Sequence, residues 1–301
     1  MMQIVDDLTK LDLRRRSIVT IGAFDGLHRG HQALIEQVVR QARATDCAAV
    51  LITFHPHPAA VLTPDRAPRL LTTPAEKAAL LAEMGLDLMV LLPFDRETAA
   101  TPARAFMETL CAHLHPRQVW VGDDFALGRG RQGDVAYLRE LGRELGYELH
   151  ALEPLREGGQ IISSSRIRAL LAQGAVEEAA ELLGRYPRLA GEVVYGAQRG
   201  RALGFPTANQ EVPPERAVPA NGVYAAFALL GDERLPAVTN VGVRPSFDNG
   251  QRTVETHIFD FDRDIYGCEL VVEFVARLRD ERRFEDIEDL AAQIAADGEQ
   301  A

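Results

Sequence analysis

The most informative part of the sequence is Gly22-Ala-Phe-Asp-Gly-Leu-His-Arg-Gly-His31. It lies between a short β-branched run, Ser17–Ile21, and an amphipathic stretch, His31–Arg43. A strand, a tight turn and a helix in this order form the ligand-binding position of an open α/β sheet. The helix directs its free N–H groups at the loop and favours an anion there. Three glycines allow tight turns and a close approach of the backbone to that ligand: Gly22, Gly26 and Gly30.

Two histidines close this stretch in the pattern His-x-Gly-His, which places His28 and His31 on one side of the first helical turn. Imidazoles that donate hydrogen bonds stabilise the negative charge of a transferring phosphoryl group. Positioning and charge neutralisation carry most of such a transfer, because the incoming phosphate is already a nucleophile. A simple glycine-rich turn is the plainer interpretation, and a Walker loop is excluded because Gly-Lys-Ser/Thr is missing. We predict nucleotidyl transfer here, with ATP bound by Gly22, Phe24, Asp25, Gly26 and Gly30.

The first half of the chain alternates strand-like and helix-like segments. After Ser17–Ile21, apolar runs predict further strands at Ala48–Phe54, Leu88–Leu92, Gln118–Val121 and Glu148–Leu152. Helices are predicted between them, and one opens on a capping box formed by Thr73 and Glu76. Strands separated by helices predict a parallel sheet that is covered on both faces. We therefore predict a Rossmann-like α/β domain over residues 1–184.

After Gly184 the pattern changes to short strands separated by turn residues. The predicted strands are Glu192–Tyr195, Val223–Leu230, Leu235–Gly242, Thr253–Phe259 and Glu269–Leu278. Because few helices intervene, we expect the sheet to be antiparallel and to close into a small barrel. A last helix is predicted from about Glu285 to Ala295, and this second domain takes residues 185–301.

A second polar cluster, Ile162-Ser-Ser-Ser-Arg-Ile-Arg168, gathers three hydroxyls and two arginines at a predicted helix N-terminus. Charge-assisted hydrogen bonds from such a cluster bind phosphate oxygens. A plain helix cap with exposed arginines is the alternative. Paired with the histidine loop, the cluster predicts a clamp on the ATP phosphates by Ser163, Ser164, Ser165 and Arg168.

Two more loops follow strands at the same edge of the predicted sheet. Phe54-His-Pro-His-Pro58 contains two histidines but no carboxylate or cysteine at a metal-binding spacing, so we predict a rigid rim of the pocket. Val121-Gly-Asp-Asp-Phe125 brings Asp123 and Asp124. Three roles remain open for these carboxylates: they accept hydrogen bonds from a substrate, hold Mg²⁺ or cap a helix.

Glycines recur early in the second domain, at Gly196, Gly200 and Gly204. A glycine-rich segment between strands wraps a polyphosphate with its amides, so we predict a second ATP site here. Thr207 and Asn209 follow two residues apart. In an extended segment their oxygens share one face and suit a hard cation such as Mg²⁺.

Glu255 lies within the predicted strand Thr253–Phe259. In this strand the apolar residues share one face, and Glu255 and His257 share the other. A carboxylate in this position is a candidate general base for a substrate hydroxyl, and a solvent-facing glutamate is the alternative. The stretch Asn240–Phe247 is predicted to be a loop on the substrate side.

Composition narrows the class of protein. The chain has 301 residues, 47% hydrophobic and 26% charged, and a net charge of −11. This length suggests about two globular domains, and an acidic chain is poorly suited to non-specific binding of nucleic acid or membrane. Cys47, Cys111 and Cys268 are expected to be buried thiols in a reducing compartment. With no apolar run of about 20 residues and a polar N-terminus, we expect a cytoplasmic protein.

In this order, the motifs resemble those of the prokaryotic bifunctional riboflavin kinase/FMN adenylyltransferase family, also called FAD synthetases. The resemblance covers the chain from about Ser17 to Ala296. The histidine loop looks like the family's adenylyltransferase signature, and Ser163–Arg168 looks like its second nucleotide-binding motif, with serine at position 165 where threonine is usual. Leu203–Asn209 is similar to the flavokinase signature, and Thr239–Phe247 and Glu255–Phe261 also match.

The resemblance implies that ATP is used twice, first to phosphorylate riboflavin to FMN and then to adenylylate FMN to FAD. It implies Mg²⁺ with the ATP, and FMN and FAD as products rather than as bound prosthetic groups. Riboflavin, FMN and ATP are then the partners. A Rossmann-like first domain and a kinase barrel are implied as well.

The same resemblance implies a role for each motif. His28 and His31 would stabilise the ATP phosphates during adenylyl transfer. Thr207 and Asn209 would hold Mg·ATP in the kinase, and Glu255 would be the base for the ribityl 5′-hydroxyl. The flavins would contact Asp124, Phe125, Asn240 and Arg244.

Two positions depart from the family pattern. Leu127 stands where an aromatic residue is often found, which concerns how the isoalloxazine ring is stacked. Arg185-Tyr-Pro-Arg188 reverses the usual Pro-Tyr order in the linker, and we expect no catalytic effect.

Two other functions fit part of the sequence. A single-activity adenylyltransferase for phosphopantetheine or nicotinamide mononucleotide shares the His-x-Gly-His motif but lacks a C-terminal barrel with Gly204–Asn209. A non-enzymatic module that senses flavin or nucleotide is the second.

Overall fold

The computed structural model describes residues 2–11, 13–196, 205–243, 252–282, 292–293, 296–298 and 301. The chain divides into two compact units, Met1–Ser164 and Ser165–Ala301. The predicted domain boundary between residues 184 and 185 lies inside the second unit and stays a prediction.

The first unit is an α/β fold. Its strands are β1 (Gln3–Val5), β2 (Ser17–Ile21), β3 (Ala48–His55), β4 (Leu88–Pro93), β5 (Pro116–Gly122), β6 (Ala126–Leu127), β7 (Gly133–Asp134), β8 (Glu148–Leu152), β9 (Arg156–Glu157) and β10 (Gln160–Ile161). Its helices are α1 (Arg29–Ala44), α2 (Pro58–Leu62), α3 (Pro74–Glu83), α4 (Arg96–Ala100), α5 (Ala103–Leu114) and α6 (Val135–Leu145).

Six strands form the central sheet in the order β1-β4-β3-β2-β5-β8, and every neighbouring pair is parallel. Alternate residues of the same strand enter two separate cores. In β3, Val50 and Ile52 pack with α5 and α6, while Ala49 and Leu51 pack with α1 and α3. A sheet that is buried on both faces reads as continuous apolar runs, which is why the sequence pattern identified its strands. The predicted parallel sheet is confirmed.

The second unit opens with α7 (Ser164–Gln173), whose first residue belongs to the first unit, and α8 (Val176–Leu183). Its strands are β11 (Arg188–Val194), β12 (Ala208–Gln210), β13 (Gly222–Leu230), β14 (Glu233–Val243), β15 (Arg252–Ile258) and β16 (Glu269–Arg279). They form a closed barrel in the order β11-β12-β15-β14-β13-β16, with antiparallel pairing throughout. The predicted antiparallel barrel is confirmed.

The predicted C-terminal helix, Glu285–Ala295, lies mostly outside the described residues. The described residues at 292–293 and 296–298 are helical. Asp297 is 3% exposed, and its carboxylate accepts three hydrogen bonds from the Arg279 guanidinium at 2.7–3.1 Å. This buried ion pair fastens the end of the chain to β16. In the described part of the chain, no helix is both long and apolar enough to cross a membrane.

Candidate functional site

The loop between β2 and α1 takes a tight path. A 3-10 turn covers Asp25–Leu27, and the backbone is left-handed at Phe24 (φ 47°), Gly26 (φ 78°) and Leu27 (φ 42°). Position 26 needs glycine, because a Cβ there would lie 2.7 Å from the Leu71 side chain. The loop is therefore held in a conformation that few sequences can adopt.

The two histidines stack at the start of α1. His28 Nδ1 accepts a hydrogen bond from the backbone N–H of His31 at 3.3 Å and caps the helix. The ring centroids are 3.6 Å apart, with planes inclined by 16°. A Cβ on Gly30 would lie 3.2 Å from the His28 ring, and one on Gly22 would lie 3.0 Å from the Phe24 ring. Because Nδ1 of His28 is the acceptor, the proton of the neutral ring sits on Nε2.

His31 lies in an environment that keeps it uncharged. The Phe24 ring meets it edge-on at 5.1 Å, and its Nδ1 is buried with no hydrogen-bond partner among the described residues. Burial lowers the pKa of His31 well below its ordinary value, and electrostatic interactions with His28 and Lys77 lower it further. At neutral pH the ring is therefore neutral.

Asp25, predicted to bind ATP, directs its carboxylate into the protein. This side chain is 3% exposed and accepts hydrogen bonds from the backbone N–H groups of Leu71 and Thr72 and from the Thr72 hydroxyl at 3.0–3.3 Å. The Thr72 hydroxyl also accepts a hydrogen bond from the backbone N–H of Gly26 at 3.0 Å. Asp25 thus joins the histidine loop to the segment that enters α3, and its contact with ATP stays a prediction.

Lys77 is a residue of this site that the sequence analysis missed. It lies on α3, is 6% exposed, and its ammonium donates to the carbonyl of Ala23 at 2.6 Å and to the Thr53 hydroxyl at 3.0 Å. Burial lowers the pKa of Lys77 to about 8, against the opposing effect of Asp25. One signal was present in the sequence: among 33 lysines and arginines, only Lys10 and Lys77 are lysines.

The serine cluster begins against the histidine loop. The Ser164 hydroxyl donates to the Asp25 carbonyl at 2.8 Å, and Arg29 pairs with Glu157 of β9 at 3.2 Å. Ser163 is half-buried just before this contact. The first unit therefore brings together two of the predicted phosphate-binding segments. The other two predicted residues, Ser165 and Arg168, lie on α7 in the second unit. Ser165 is exposed and Arg168 is half-buried.

The predicted flavin residues of the first unit line a separate cleft. This cleft has a volume of about 400 Å³ and includes Asp123, Asp124, Phe125 and Arg131 in its walls. Both aspartates are exposed, and Arg131 donates to the Asp124 carbonyl at 3.0 Å. Phe125 is half-buried against the core, as is Leu127. The cleft offers a carboxylate and an aromatic ring to a ligand.

The loop after β3 has a capping role at its second histidine. His57 Nδ1 accepts a hydrogen bond from the backbone N–H of Ala59 at 3.1 Å and caps α2, while His55 is exposed. Both histidines lie with Asp25 and Lys77 around a small cavity. Among the described residues, no group of three His, Cys, Asp or Glu side chains is placed to hold a metal ion.

The barrel places three predicted site residues in one row across three strands. Glu255 of β15 lies directly opposite Asn209 of β12 on one side and Asn240 of β14 on the other. Directly paired residues of antiparallel strands have their side chains on the same face, about 5 Å apart at Cβ. The alternation expected for β15 is confirmed, because its apolar face is buried and Glu255 and His257 are half-buried. Strand register thus brings together residues that are far apart in sequence.

Thr207 and Asn209 line a cleft of about 370 Å³ on the barrel, with Gly196 and Tyr266 among its other walls. Asn209 is 7% exposed, and its amide donates to the Thr207 carbonyl at 3.5 Å. A Cβ on Gly196 would lie 2.4 Å from the Asn209 side chain, so a larger residue there would displace that amide. Three further predicted site residues lie outside the described residues: Gly200, Gly204 and Arg244.

Fold and sites together define a class: a nucleotidyltransferase-type α/β unit followed by a six-stranded antiparallel barrel that carries a polar cleft. The family model described as FAD synthetase matches residues 11–166, and the one described as riboflavin kinase matches residues 183–301. The chain belongs to the bifunctional riboflavin kinase/FMN adenylyltransferase family.

Similar proteins agree with this assignment. The chain is 40% identical to the bifunctional riboflavin kinase/FMN adenylyltransferase of Escherichia coli K12, over 93% of this chain and 90% of that protein. The Bacillus subtilis protein of the same name is 34% identical, over 95% and 92% of the two chains. A solved structure named as a macrolide-efflux protein from Streptococcus pneumoniae is 30% identical, with a TM-score of 0.90 over 99% of this chain and 97% of that one. That name applies to the Streptococcus pneumoniae protein and not to this chain.

The chain is therefore a riboflavin kinase and an FMN adenylyltransferase, with the adenylyltransferase first in the sequence. The match of residues 183–301 to riboflavin kinase rules out a single-activity adenylyltransferase for another acceptor. The family assignment likewise replaces the hypothesis of a non-enzymatic sensing module.

Proposed function

We propose that each activity depends on the residues predicted for its unit. In the first unit, a phosphate oxygen of FMN attacks the α-phosphorus of ATP, and the bond to the departing pyrophosphate breaks. His28 and His31 stabilise the negative charge that this transfer develops. The capped geometry supports this role, because it gives His28 an Nε2–H donor at a fixed position beside the N-terminus of α1. Both rings are held before the substrate arrives, so little reorganisation is needed.

Other groups complete the first site in this proposal. The backbone amides and side chains of the loop from Gly22 to Gly30 surround the phosphates of ATP. Phe24 and Asp25 hold this loop in its conformation. Ser163, Ser164, Ser165 and Arg168 clamp the phosphates with hydroxyl and guanidinium donors. Asp124 and Phe125 contact the flavin of FMN, and the cleft of about 400 Å³ around them supports this assignment.

In the barrel, Thr207 and Asn209 hold Mg·ATP in our proposal. Their hydroxyl and carboxamide oxygens are hard ligands of the kind that Mg²⁺ takes together with substrate phosphates. When bound, Mg²⁺ neutralises phosphate charge. Gly196, Gly200 and Gly204 wrap the phosphates with backbone amides, and Asn240 and Arg244 contact the riboflavin.

Glu255 accepts the proton of the ribityl 5′-hydroxyl while that oxygen attacks the γ-phosphorus of ATP and ADP leaves. The observation that carries this assignment is the register that sets Glu255 beside Asn209. A base beside the residues that would hold Mg·ATP would lie close to the phosphate that is transferred. Asn240, on the other side of Glu255, is placed for the substrate that carries the hydroxyl.

Reciprocal substitutions test the two sites. We expect His28→Ala to impair FAD formation from FMN while riboflavin is still converted to FMN. We expect Glu255→Ala to do the reverse when FMN is supplied. Chromatography of the flavins after incubation with ATP and Mg²⁺ measures both products in one sample. If either variant loses both activities while its circular dichroism remains that of the wild type, the assignment of separate sites is wrong.

We also propose a cytoplasmic location, with ATP, riboflavin and FMN as partners and without nucleic acid or membrane binding. Cys47, Cys111 and Cys268 are free thiols, as suits a reducing compartment. The expectation that all three are buried is confirmed for Cys47, whereas Cys111 is half-buried and Cys268 is exposed in the turn before β16. The net charge of −11 supports the exclusion of polyanionic partners.

A further inference from the structure

The buried lysine next to the histidine loop requires an explanation. Lys77 is 6% exposed, and no carboxylate lies within ion-pair distance of it among the described residues. A buried ammonium without a direct ion pair is costly, and most lysines avoid this position. Elsewhere this chain uses arginine almost exclusively, with Lys10 as the other lysine. A compact ammonium thus occupies a buried position where an uncharged side chain would avoid the cost of desolvating a charge.

The contacts of Lys77 form one half of a reciprocal brace. From α3, its ammonium reaches back to the carbonyl of Ala23 at 2.6 Å, and the Thr53 hydroxyl donates to the same carbonyl at 3.0 Å. From the loop, the Asp25 carboxylate reaches forward to the backbone N–H groups of Leu71 and Thr72. Each segment thus gives one buried charge to the other. This arrangement fixes the residue just before Phe24, where the backbone turns left-handed.

From Phe24 the brace extends to the reacting groups. The Phe24 ring lies against His31, and His31 stacks on His28. The charge of Lys77 also acts on His31 directly and opposes its protonation. Other titratable groups lie close to the pair or line the cavity shared with Lys77, and a pH experiment must take them into account: Asp25, His55 and His57.

We propose that Lys77 is a positioning residue for adenylyl transfer: its buried ammonium fixes the Ala23 carbonyl and sets a positive charge against the His28–His31 pair. The loop is thereby held in its left-handed path, and His31 is kept neutral. This inference rests on the proposed role of the histidine pair. It adds to that role a residue outside the two nucleotide-binding motifs.

The kinetic test compares Lys77→Met, which keeps most of the length and loses the charge, with Lys77→Arg, which keeps the charge. For Lys77→Met we expect kcat of FMN adenylylation to fall about 100-fold, as for a small displacement of catalytic groups. We expect Lys77→Arg to recover part of this loss, and Lys10→Met to behave as the wild type. Riboflavin phosphorylation should be unchanged in all three variants. Wild-type adenylylation by Lys77→Met would overturn the proposal.

A spectroscopic test separates a charge effect from a loss of packing. With only two lysines in the chain, ¹³Cε-lysine labelling gives two signals, and Lys10→Arg assigns them. In the wild type, the Lys77 signal should titrate near pH 8, and the His31 ring signal should respond at the same pH. In Lys77→Met the pKa of His31 should rise, and in Lys77→Arg it should stay low. If the His31 signals ignore the Lys77 titration in the wild type, Lys77 does not act on the pair, whether or not a variant folds.

The outcome also distinguishes this inference from the function on which it rests. If His28→Ala forms FAD normally, the proposed role of the histidine pair is wrong. If His28→Ala loses FAD formation but Lys77→Met keeps it, only the role of Lys77 is wrong.

Discussion

The two sites of this enzyme are assembled in different ways. The proposed adenylyl-transfer site takes both histidines from one short stretch, and buried polar groups brace that stretch from outside. The proposed kinase site takes Asn209, Asn240 and Glu255 from three strands, and the main-chain ladder aligns them. We therefore expect the first site to depend on buried charge and hydrogen bonds, and the second on steric fit across the barrel. Substitutions in each site test this contrast.

The largest effect concerns the pH dependence of stability. Lys77 has a pKa of about 8 in the folded protein, below its ordinary 10.5. Between these values the unfolded chain binds a proton that the folded chain does not, so the stability of the wild type rises with pH in this window. Relative to Lys77→Met, the unfolding free energy should increase by up to about 3 kcal/mol between pH 8 and 10.5.

Urea unfolding at a series of pH values measures this difference. The matched control is Lys10→Met, because Lys10 is exposed beside Asp6, and its curve should run parallel to that of the wild type. Parallel curves for Lys77→Met and wild type would contradict the prediction. They would show that the first site does not depend on the buried charge of Lys77.

In the barrel, the corresponding change is steric. A Cβ on Gly196 would lie 2.4 Å from the Asn209 side chain, so Gly196→Ala must displace that amide. A displacement of about 1 Å in a group that positions substrate costs about 100-fold in rate. We expect riboflavin phosphorylation to fall by about this factor, with FMN adenylylation unchanged as the internal control. A variant that phosphorylates riboflavin at the wild-type rate would show that Asn209 does not position ATP.

The local features of this fold could be predicted from the sequence, whereas its long-range contacts could not. Continuous apolar runs predicted the parallel strands, and the motif His-x-Gly-His predicted the loop, because both signals are local. β1 was missed because it is three residues long, has exposed side chains and shows no periodicity. β12 was recognised only as an extended segment, since Ala208–Gln210 is short and ends in polar residues.

The partners of buried polar groups were beyond sequence reasoning for a different reason. A lysine on an amphipathic helix is ordinarily a surface residue, so the pattern gave no reason to bury Lys77. An aspartate in a glycine-rich loop suggests a ligand contact, and the pattern gave no sign that Asp25 also accepts hydrogen bonds from the backbone of residues 71–72. Both contacts join segments about 50 residues apart, and only the packing of α3 against the loop brings them together.

The next smaller effect comes from a comparison of two glycines with similar positive φ angles. Gly26 (φ 78°) would place a Cβ 2.7 Å from Leu71, whereas Gly146 (φ 84°) would place it in open space. Alanine at either position costs about 1 kcal/mol or more, because the left-handed conformation is unfavourable for it. Gly26→Ala should add a steric cost, for a total of about 2 kcal/mol, and should slow FMN adenylylation. Gly146→Ala should lose stability only.

Thermal or urea unfolding of both variants, with FAD formation measured alongside, provides the comparison. Equal destabilisation of the two variants would mean that Leu71 moves away without cost. The path of the loop would then be less constrained than its contacts with residues 71–72 indicate.

The smallest effect is the loss of one hydrogen bond in the first site. The Ser164 hydroxyl donates to the Asp25 carbonyl at 2.8 Å, and Ser164→Ala removes that donor. A net loss of about 1 kcal/mol corresponds to about a fivefold lower rate of FMN adenylylation. Ser164→Thr keeps a hydroxyl at this position and should retain the activity, while riboflavin phosphorylation should be unaffected by either change. If Ser164→Ala lowers both activities equally, Ser164 stabilises the whole chain and has no specific role in adenylylation. The contrast between a first site held by local polar contacts and a second site aligned by strand register would then not be supported at this residue.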